Sequence, residues 1–322
     1  MGTRGRRSFL LAAGALCLAP RLARAQARRQ PYRIGILATE SGEEIERSLR
    51  ELGYVTGRDV VFEVRVSKGR AERLDALAAE LVRAQVDVIV APNPAAALSA
   101  KRATATIPIV MMHTPDPVQL GLVASLARPG GNVTGTTTLS RDLSIKQLEL
   151  VDALIPHIAR IALLMNPGNP WHPVTAQGLL AWGRSLGRHV QVLELRSAND
   201  FDGAFGAMKA QNAQAALVLA DPLTYVYRQR LAGLGEQHRL PMVGSLREYA
   251  EAGFLISYWA DGAEILRSTA RYVDQILKGA KPESLPVEQP TKFELVVNLR
   301  TAGALGLKVP QALLARADRV IE

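Results

Sequence analysis

The side chains able to do chemistry in this 322-residue chain gather just after short apolar runs. Thr39 and Ser41 follow the run that ends at Leu37, Asn93 follows Val86 to Val90, and Asp116 follows Ile107 to Met112. Asn166 and Trp171 follow Arg160 to Leu164, Asp221 and Tyr225 follow Val218, and Ser245 and Glu248 follow Leu240 to Val243. Thr136 and Thr138 share one face of Val133 to Thr138, and Tyr258 closes Phe254 to Tyr258. Hydroxyls, amides and carboxylates suit hydrogen bonding and charge pairing with a small polar molecule. Trp171, Tyr225, Tyr258 and the neighbouring Trp259 could stack on its apolar part, in a chain with only 5% aromatic residues. Each has a plainer reading beside the functional one. Asn93 before Pro94, and Asp116, could instead cap helices; the threonines could be ordinary strand residues; the aromatics could be packing.

Other chemistries find no support. His113, His157, His172, His189 and His238 show no metal-ligand spacing, and neither a G-x-S-x-G elbow nor a dinucleotide fingerprint is present. Gly130 to Gly135 lacks the Gly-Lys-Ser/Thr ending of a phosphate loop and reads as a turn. The pattern therefore points to binding, with no enzymatic activity and no cofactor expected.

The apolar runs form an internal repeat. Arg33 to Leu37 returns as Arg160 to Leu164, Val61 to Arg65 as Val190 to Glu194, Val88 to Pro92 as Val218 to Pro222, and Ile107 to Val110 as Leu240 to Val243. Helix-length segments separate them; Leu74, Leu77, Ala78, Leu81 and Val82 keep a helical period. Strands alternating with helices imply parallel α/β sheets. The fold class expected is two similar doubly wound lobes joined by crossover strands, here Val133 to Thr138 and Phe254 to Tyr258. Lobe one is expected at 32–138, rejoined by about 259–322, and lobe two at 139–258. In such sheets ligands sit beyond the carboxyl ends of the strands, where the polar residues above fall.

The first 25 residues read as an export signal. Arg4, Arg6 and Arg7 precede an apolar stretch from Ser8 to Pro20, and Ala23-Arg24-Ala25 offers a small-x-small cleavage pattern. Arg6-Arg7-Ser8-Phe9-Leu10-Leu11 has the form of a twin-arginine signal. Cleavage near Ala25 would remove five arginines and the single cysteine, Cys17, lowering the net charge from +9 to +4. That modest excess carries no basic stripe, so nucleic acid is not an expected partner. A periplasmic monomer is expected.

Several stretches carry a family resemblance. They are Arg50-Glu51-Leu52-Gly53-Tyr54, Leu126 to Gly135, Asn166-Pro167 and, most distinctively, Leu285 to Leu299. The chain resembles the tryptophan/tyrosine-type substrate-binding proteins of ABC transporters, over nearly all of its length after the signal. The resemblance implies a type I periplasmic-binding-protein-like fold, a small polar or amino-acid-like ligand between the lobes, and a membrane permease and ATPase as partners. A secreted sensor feeding a signalling protein would have the same shape, and a secreted enzyme whose catalytic residues converge only in three dimensions is the less favoured alternative. The sequence departs from the family's pattern in a short stretch from Ala38 to Leu52 and in Ala91-Pro92-Asn93-Pro94. Pro94 donates no N–H, so a ligand carboxylate would be expected to lean on Asn166 to Trp171. Replacing Asp221 or Tyr225 is expected to weaken binding while leaving the ligand-free protein nearly as stable.

Overall fold

The computed structural model of the protein describes residues 30–138 and 140–322. The basic head at Arg4, Arg6 and Arg7, Cys17, and the cleavage expected near Ala25 lie outside them.

The first lobe runs β1 (Tyr32–Ala38), α1 (Glu43–Glu51), β2 (Val60–Val66), α2 (Leu74–Arg83), β3 (Val88–Ala91), α3 (Pro94–Ala103), β4 (Ile109–Pro115) and β5 (Val133–Thr138). Its five strands are parallel, in the order β2-β1-β3-β4-β5. The second lobe opens with α4 (Ser140–Leu154), then β6 (Arg160–Met165), α5 (His172–Ser185), β7 (His189–Glu194), α6 (Phe201–Ala210) and β8 (Ala215–Val218). It continues with α7 (Pro222–Val226), α8 (Arg228–Gln237), β9 (Met242–Gly244), α9 (Arg247–Ala252) and β10 (Ile256–Ala260). Its sheet begins β7-β6-β8-β9-β10, the same order as the first, so the sequence repeat is a repeat of topology.

Continuous apolar runs make these strands because both faces of each sheet are covered. Ile34, Ile36, Val88, Val90, Val110 and Met112 face one layer of the first lobe, while Leu37, Ile89, Ala91, Ile109 and Met111 face the other. The same period of two divides Ala162, Leu164, Ala216 and Val218 from Ile161, Leu163, Ala215 and Leu217 in the second lobe.

The chain crosses between lobes immediately after β5 and again after β10. The helix that follows, α10 (Gly262–Leu277), buries Ile265, Thr269, Tyr272, Val273 and Ile276 against the first lobe, packing on α1, β4 and β5. Glu288 then bonds to the edge of β5, its N–H donating to the Gly135 carbonyl at 3.0 Å and its carbonyl accepting from Thr137 N–H at 2.9 Å. The tail corrects the expected division of the chain. Rather than staying with lobe one, β11 (Phe293–Asn298), α11 (Leu299–Leu305), α12 (Gln311–Leu314) and β12 (Arg319–Ile321) extend the second sheet, which ends β10-β11-β12. β11 runs antiparallel to β10, and Leu295 and Val297 complete a core with Leu150, Leu154 and Ile256. The apolar face of β10 and α4 needs that cover.

One glycine shapes the β5 edge of the first sheet. Gly135 on β5 has φ 130°, and a Cβ there would lie 2.1 Å from the Met111 carbonyl oxygen. Its close approach accompanies a bulge between Met111 and Thr114, which leaves His113 at φ 47°.

Candidate functional site

A cavity of about 470 Å³ lies between the lobes at the carboxyl ends of the strands. Each wall is a set of strand-to-helix loops. The first lobe supplies Thr39 to Glu44 between β1 and α1, Pro92 to Pro94 before α3, and Met112, His113 and Pro115 from β4. The second supplies Asn169 to Thr175 around the start of α5, Leu219 to Tyr225 around α7, and Ser245 to Tyr249 leading into α9. Trp259 and Glu294 come from β10 and β11.

The most ordered part of the site is built on Asp221. It is only 6% exposed and caps α7, its Oδ1 accepting from Leu223 N–H at 2.9 Å. The same carboxylate accepts from Asn166 Nδ2 at 3.0 Å and from Asn169 Nδ2 at 3.1 Å. His172 lies beside it, with Nδ1 accepting the Asn166 N–H at 2.9 Å. That bond leaves Nε2 to carry the proton and donate to the Ala220 carbonyl at 3.1 Å, which fixes one neutral tautomer. Burial holds the His172 pKa below its usual value, against the pull of the Asp221 charge.

Among the described residues, three buried polar atoms around the cavity have no protein partner: His113 Nδ1, Trp171 Nε1 and Thr175 Oγ1. Buried polar groups are seldom left unpaired, so each is a group that a ligand or water would satisfy. Burial pushes the His113 imidazole down to about 4. It raises the Glu248 carboxyl as well, with Glu44 across the cleft and Glu251 adding to the effect. The Tyr225 hydroxyl is pushed up to about 12, mainly by burial and then by Glu248.

The two lobes touch at the rim. Arg228 at the start of α8 places Nη1 3.2 Å from Glu40 Oε2. Gly69, between β2 and α2, lies so near α7 that a Cβ would sit 3.0 Å from the Pro222 carbonyl oxygen. The cleft is therefore closed.

Of the residues singled out in sequence, Thr39, Ser41, Asn93, Trp171, Asp221, Tyr225, Ser245 and Glu248 line the cavity together. Asn93 both lines it and caps α3, its Oδ1 accepting from Ala96 N–H at 2.9 Å. Five do not reach it. Asp116 is exposed at φ 32°, and its Oδ1 caps the following turn through Gln119 N–H. Asn166 stands behind Asp221 as its hydrogen-bond donor. Thr136 and Thr138 are buried on β5 away from the cleft, and Thr136 borders a separate hollow near Glu264 and Glu288. Tyr258 stacks on Phe293 with centroids 6.1 Å apart, while the alternate residue Trp259 faces the cavity. Backbone N–H groups of the loop Asn166 to Trp171 are engaged within it, which leaves the Trp171 Nε1 as its unpartnered donor. Gly168 N–H donates to Asn166 Oδ1, Trp171 N–H to Asn169 Oδ1, and His172 N–H to the Asn169 carbonyl.

Sequence reasoning missed Glu40, Glu43, Glu44, Asn169, His172, Thr175 and Glu294. Glu43 and Glu44 carried a legible signal, since with Glu46 they gather at the first turn of α1 beside the first strand. Glu294 carried none, because its strand was assigned to the other lobe.

Two lobes of matching topology, closed over a cavity between them, are the architecture of solute receptors. The model of the ABC transporter substrate binding protein family matches residues 35–321. The chain belongs to this family. A tyrosine-binding protein of Clostridioides difficile (strain R20291) is 24% identical over 263 residues, 81% of this chain and 75% of that one. Among solved structures, an ABC domain from Streptococcus pneumoniae in complex with L-Trp is 26% identical, with a TM-score of 0.83 over 90% of this chain and 100% of that one. A conserved domain protein from Vibrio cholerae is 28% identical, with a TM-score of 0.82 over 90% and 99%. The family explains the repeat, since two equivalent lobes provide two equivalent sets of loops.

Proposed function

We propose that the chain is the solute-binding component of an ABC importer, taking one small polar or amino-acid-like molecule in the interlobe cavity. The observation that carries this reading is that both lobes wall the cavity and meet at its rim. A solute that contacts both lobes at once favours the closed state by its differential affinity, which an open form cannot match. The tyrosine-binding relative and the L-Trp complex support an amino-acid class of ligand. Thr39, Ser41, Asn93, Trp171, Asp221, Tyr225, Ser245 and Glu248 would hold it, with Trp171, Tyr225 and Trp259 against its apolar part. Exported through the twin-arginine route and cleaved near Ala25, a periplasmic monomer would deliver the solute to a membrane permease and ATPase.

Native mass spectrometry of protein purified from its own host, followed by calorimetric titration of the compound released, tests this. One small molecule per chain, with a smaller radius of gyration in solution scattering once bound, is the expected result. Binding with no change in dimensions would overturn the two-lobe closure. Loss of periplasmic accumulation in an Arg6→Lys, Arg7→Lys precursor is expected for the export route.

A further inference from the structure

The corner of the cavity formed by β3 and β4 differs from the rest of its wall. The two strands run side by side, with Ala91 opposite Met111, so the residues that follow them meet at one place. They line the cavity with Pro92, Asn93, Pro94, Met112, His113 and Pro115, and among the described residues no charged side chain comes from this corner. The charges lie elsewhere, on the loop into α1 and its first turns, at Asp221, and on α9 and β11.

Within the corner Asn93 is committed. Its Oδ1 caps α3, and its Nδ2 donates to Thr39 Oγ1 at 3.4 Å. His113 is not committed. Neither of its ring nitrogens has a hydrogen-bond partner among the described residues, and Nδ1 is shut off from solvent. Its backbone has φ 47°, in the left-handed region that a residue with a Cβ adopts at a cost, and the bulge after Met111 holds it there. A buried polar group with no partner in strained backbone calls for one from outside the protein.

The charged groups of an amino-acid-like solute find their partners away from this corner. Glu44 and Glu248 suit an ammonium, while Arg47 and the Trp171 indole N–H suit a carboxylate. What reaches β3 and β4 is then the side-chain end, an apolar body among prolines and Met112 with one polar group to place. Since Nδ1 is shut off, Nε2 is the nitrogen open to the cavity. A buried N–H without a partner is the costlier orphan, which puts the proton on Nε2 and leaves Nδ1 its lone pair. Burial alone lowers the His113 pKa, so the ring is neutral at pH 7. A phenol oxygen can accept from Nε2; an indole N–H cannot, and a plain phenyl ring leaves the donor unpaired.

We infer that His113 sets the specificity of this cleft by donating from Nε2 to a hydroxyl on the solute's ring. This rests on the reading of the cleft as the solute site and names the side chain it selects, a phenol.

Calorimetric titration of the full signal-free chain with L-tyrosine, L-phenylalanine and L-tryptophan tests it. Expected is that L-tyrosine binds at least about tenfold more tightly than L-phenylalanine, because the donor in the corner is left unpaired by the ring that lacks the oxygen. L-Tryptophan should also trail L-tyrosine. His113→Gly accepts the φ of 47° and removes the imidazole. In that variant L-tyrosine should fall to within about threefold of L-phenylalanine. The ratio cancels any change in folding or closure, which both amino acids share. A parallel loss that keeps the ratio would make His113 a residue of shape only and overturn the inference. So would a wild-type lead for L-phenylalanine or L-tryptophan, with the solute-receptor reading left in place. Silence from all three overturns it as well. The receptor reading then falls only if native mass spectrometry of host-purified protein also finds no bound small molecule.

Discussion

Arg228 reaches across the cleft to Glu40, with Nη1 3.2 Å from Oε2, while its guanidinium lies 4.4 Å from the ring centroid of Tyr225. The same Nη1 donates to the Tyr225 carbonyl at 2.6 Å, so the arginine is anchored on its own lobe before it meets the other. A pre-ordered arginine loses less side-chain entropy on pairing. Arg228→Ala should therefore loosen closure. The pair is partly exposed, which limits it to about 1 kcal/mol, or roughly a fivefold change in the open population. Solution scattering of the ligand-free variant should give a larger radius of gyration, and bound solute should leave faster. Unaltered dimensions would show that the pair does not hold the lobes.

Gly69 is the second point of contact, and its size is what allows it. With φ 73° and a virtual Cβ 3.0 Å from Pro222 O and 3.3 Å from Leu223 Cα, alanine must either shift α7 or hold the lobes apart. Gly69→Ala is expected to weaken solute binding severalfold. The left-handed backbone adds about 1 kcal/mol of destabilisation. Affinity lost far beyond what the thermal midpoint loses would mark the effect as one on closure.

Asp221 cannot be a silent site in the ligand-free protein, contrary to the expectation drawn from sequence. It caps α7 and receives both Asn166 and Asn169. Asp221→Asn turns one acceptor into a donor facing those amides, at a cost of about 2 kcal/mol. Differential scanning calorimetry should show a lower thermal midpoint without ligand. Tyr225→Phe, which keeps the ring, should leave it unchanged.

The pH dependence of stability should carry a histidine signature. His113 titrates near 6.5 in an unfolded chain and at about 4 when folded, because burial disfavours the imidazolium. The unfolded state then binds more protons between those values, so this contribution is complete above pH about 6.5 and is lost as pH falls toward 4. Its upper limit is about 3 kcal/mol. Asparagine tolerates the φ of 47° at this position, so His113→Asn should flatten part of the acid-side slope in urea titrations. His172, also held low by burial, should keep the rest.

The sequence by itself determined the lobes and the ends of the strands where the polar loops gather. Continuous apolar runs with glycine and proline punctuation are local signals, and their recurrence as Arg33 to Leu37 and Arg160 to Leu164 became β1 and β6 at equivalent places in two sheets. Asn93 was legible as a cap because a cap is written within a few residues of its helix, whereas Asp221, which caps α7, reads in sequence as a ligand contact alone. Three things were decided only by tertiary structure. The tail from Phe293 joined the second sheet because the apolar faces of β10 and α4 lacked a cover, a need set by elements more than a hundred residues apart. Trp259 rather than Tyr258 faced the cavity because a strand's phase depends on which side its sheet presents, and period two alone leaves that choice open. The charge of the cleft emerged only when Glu40, Glu43 and Glu44 were brought opposite Glu248, since a field is summed over space and not along the chain.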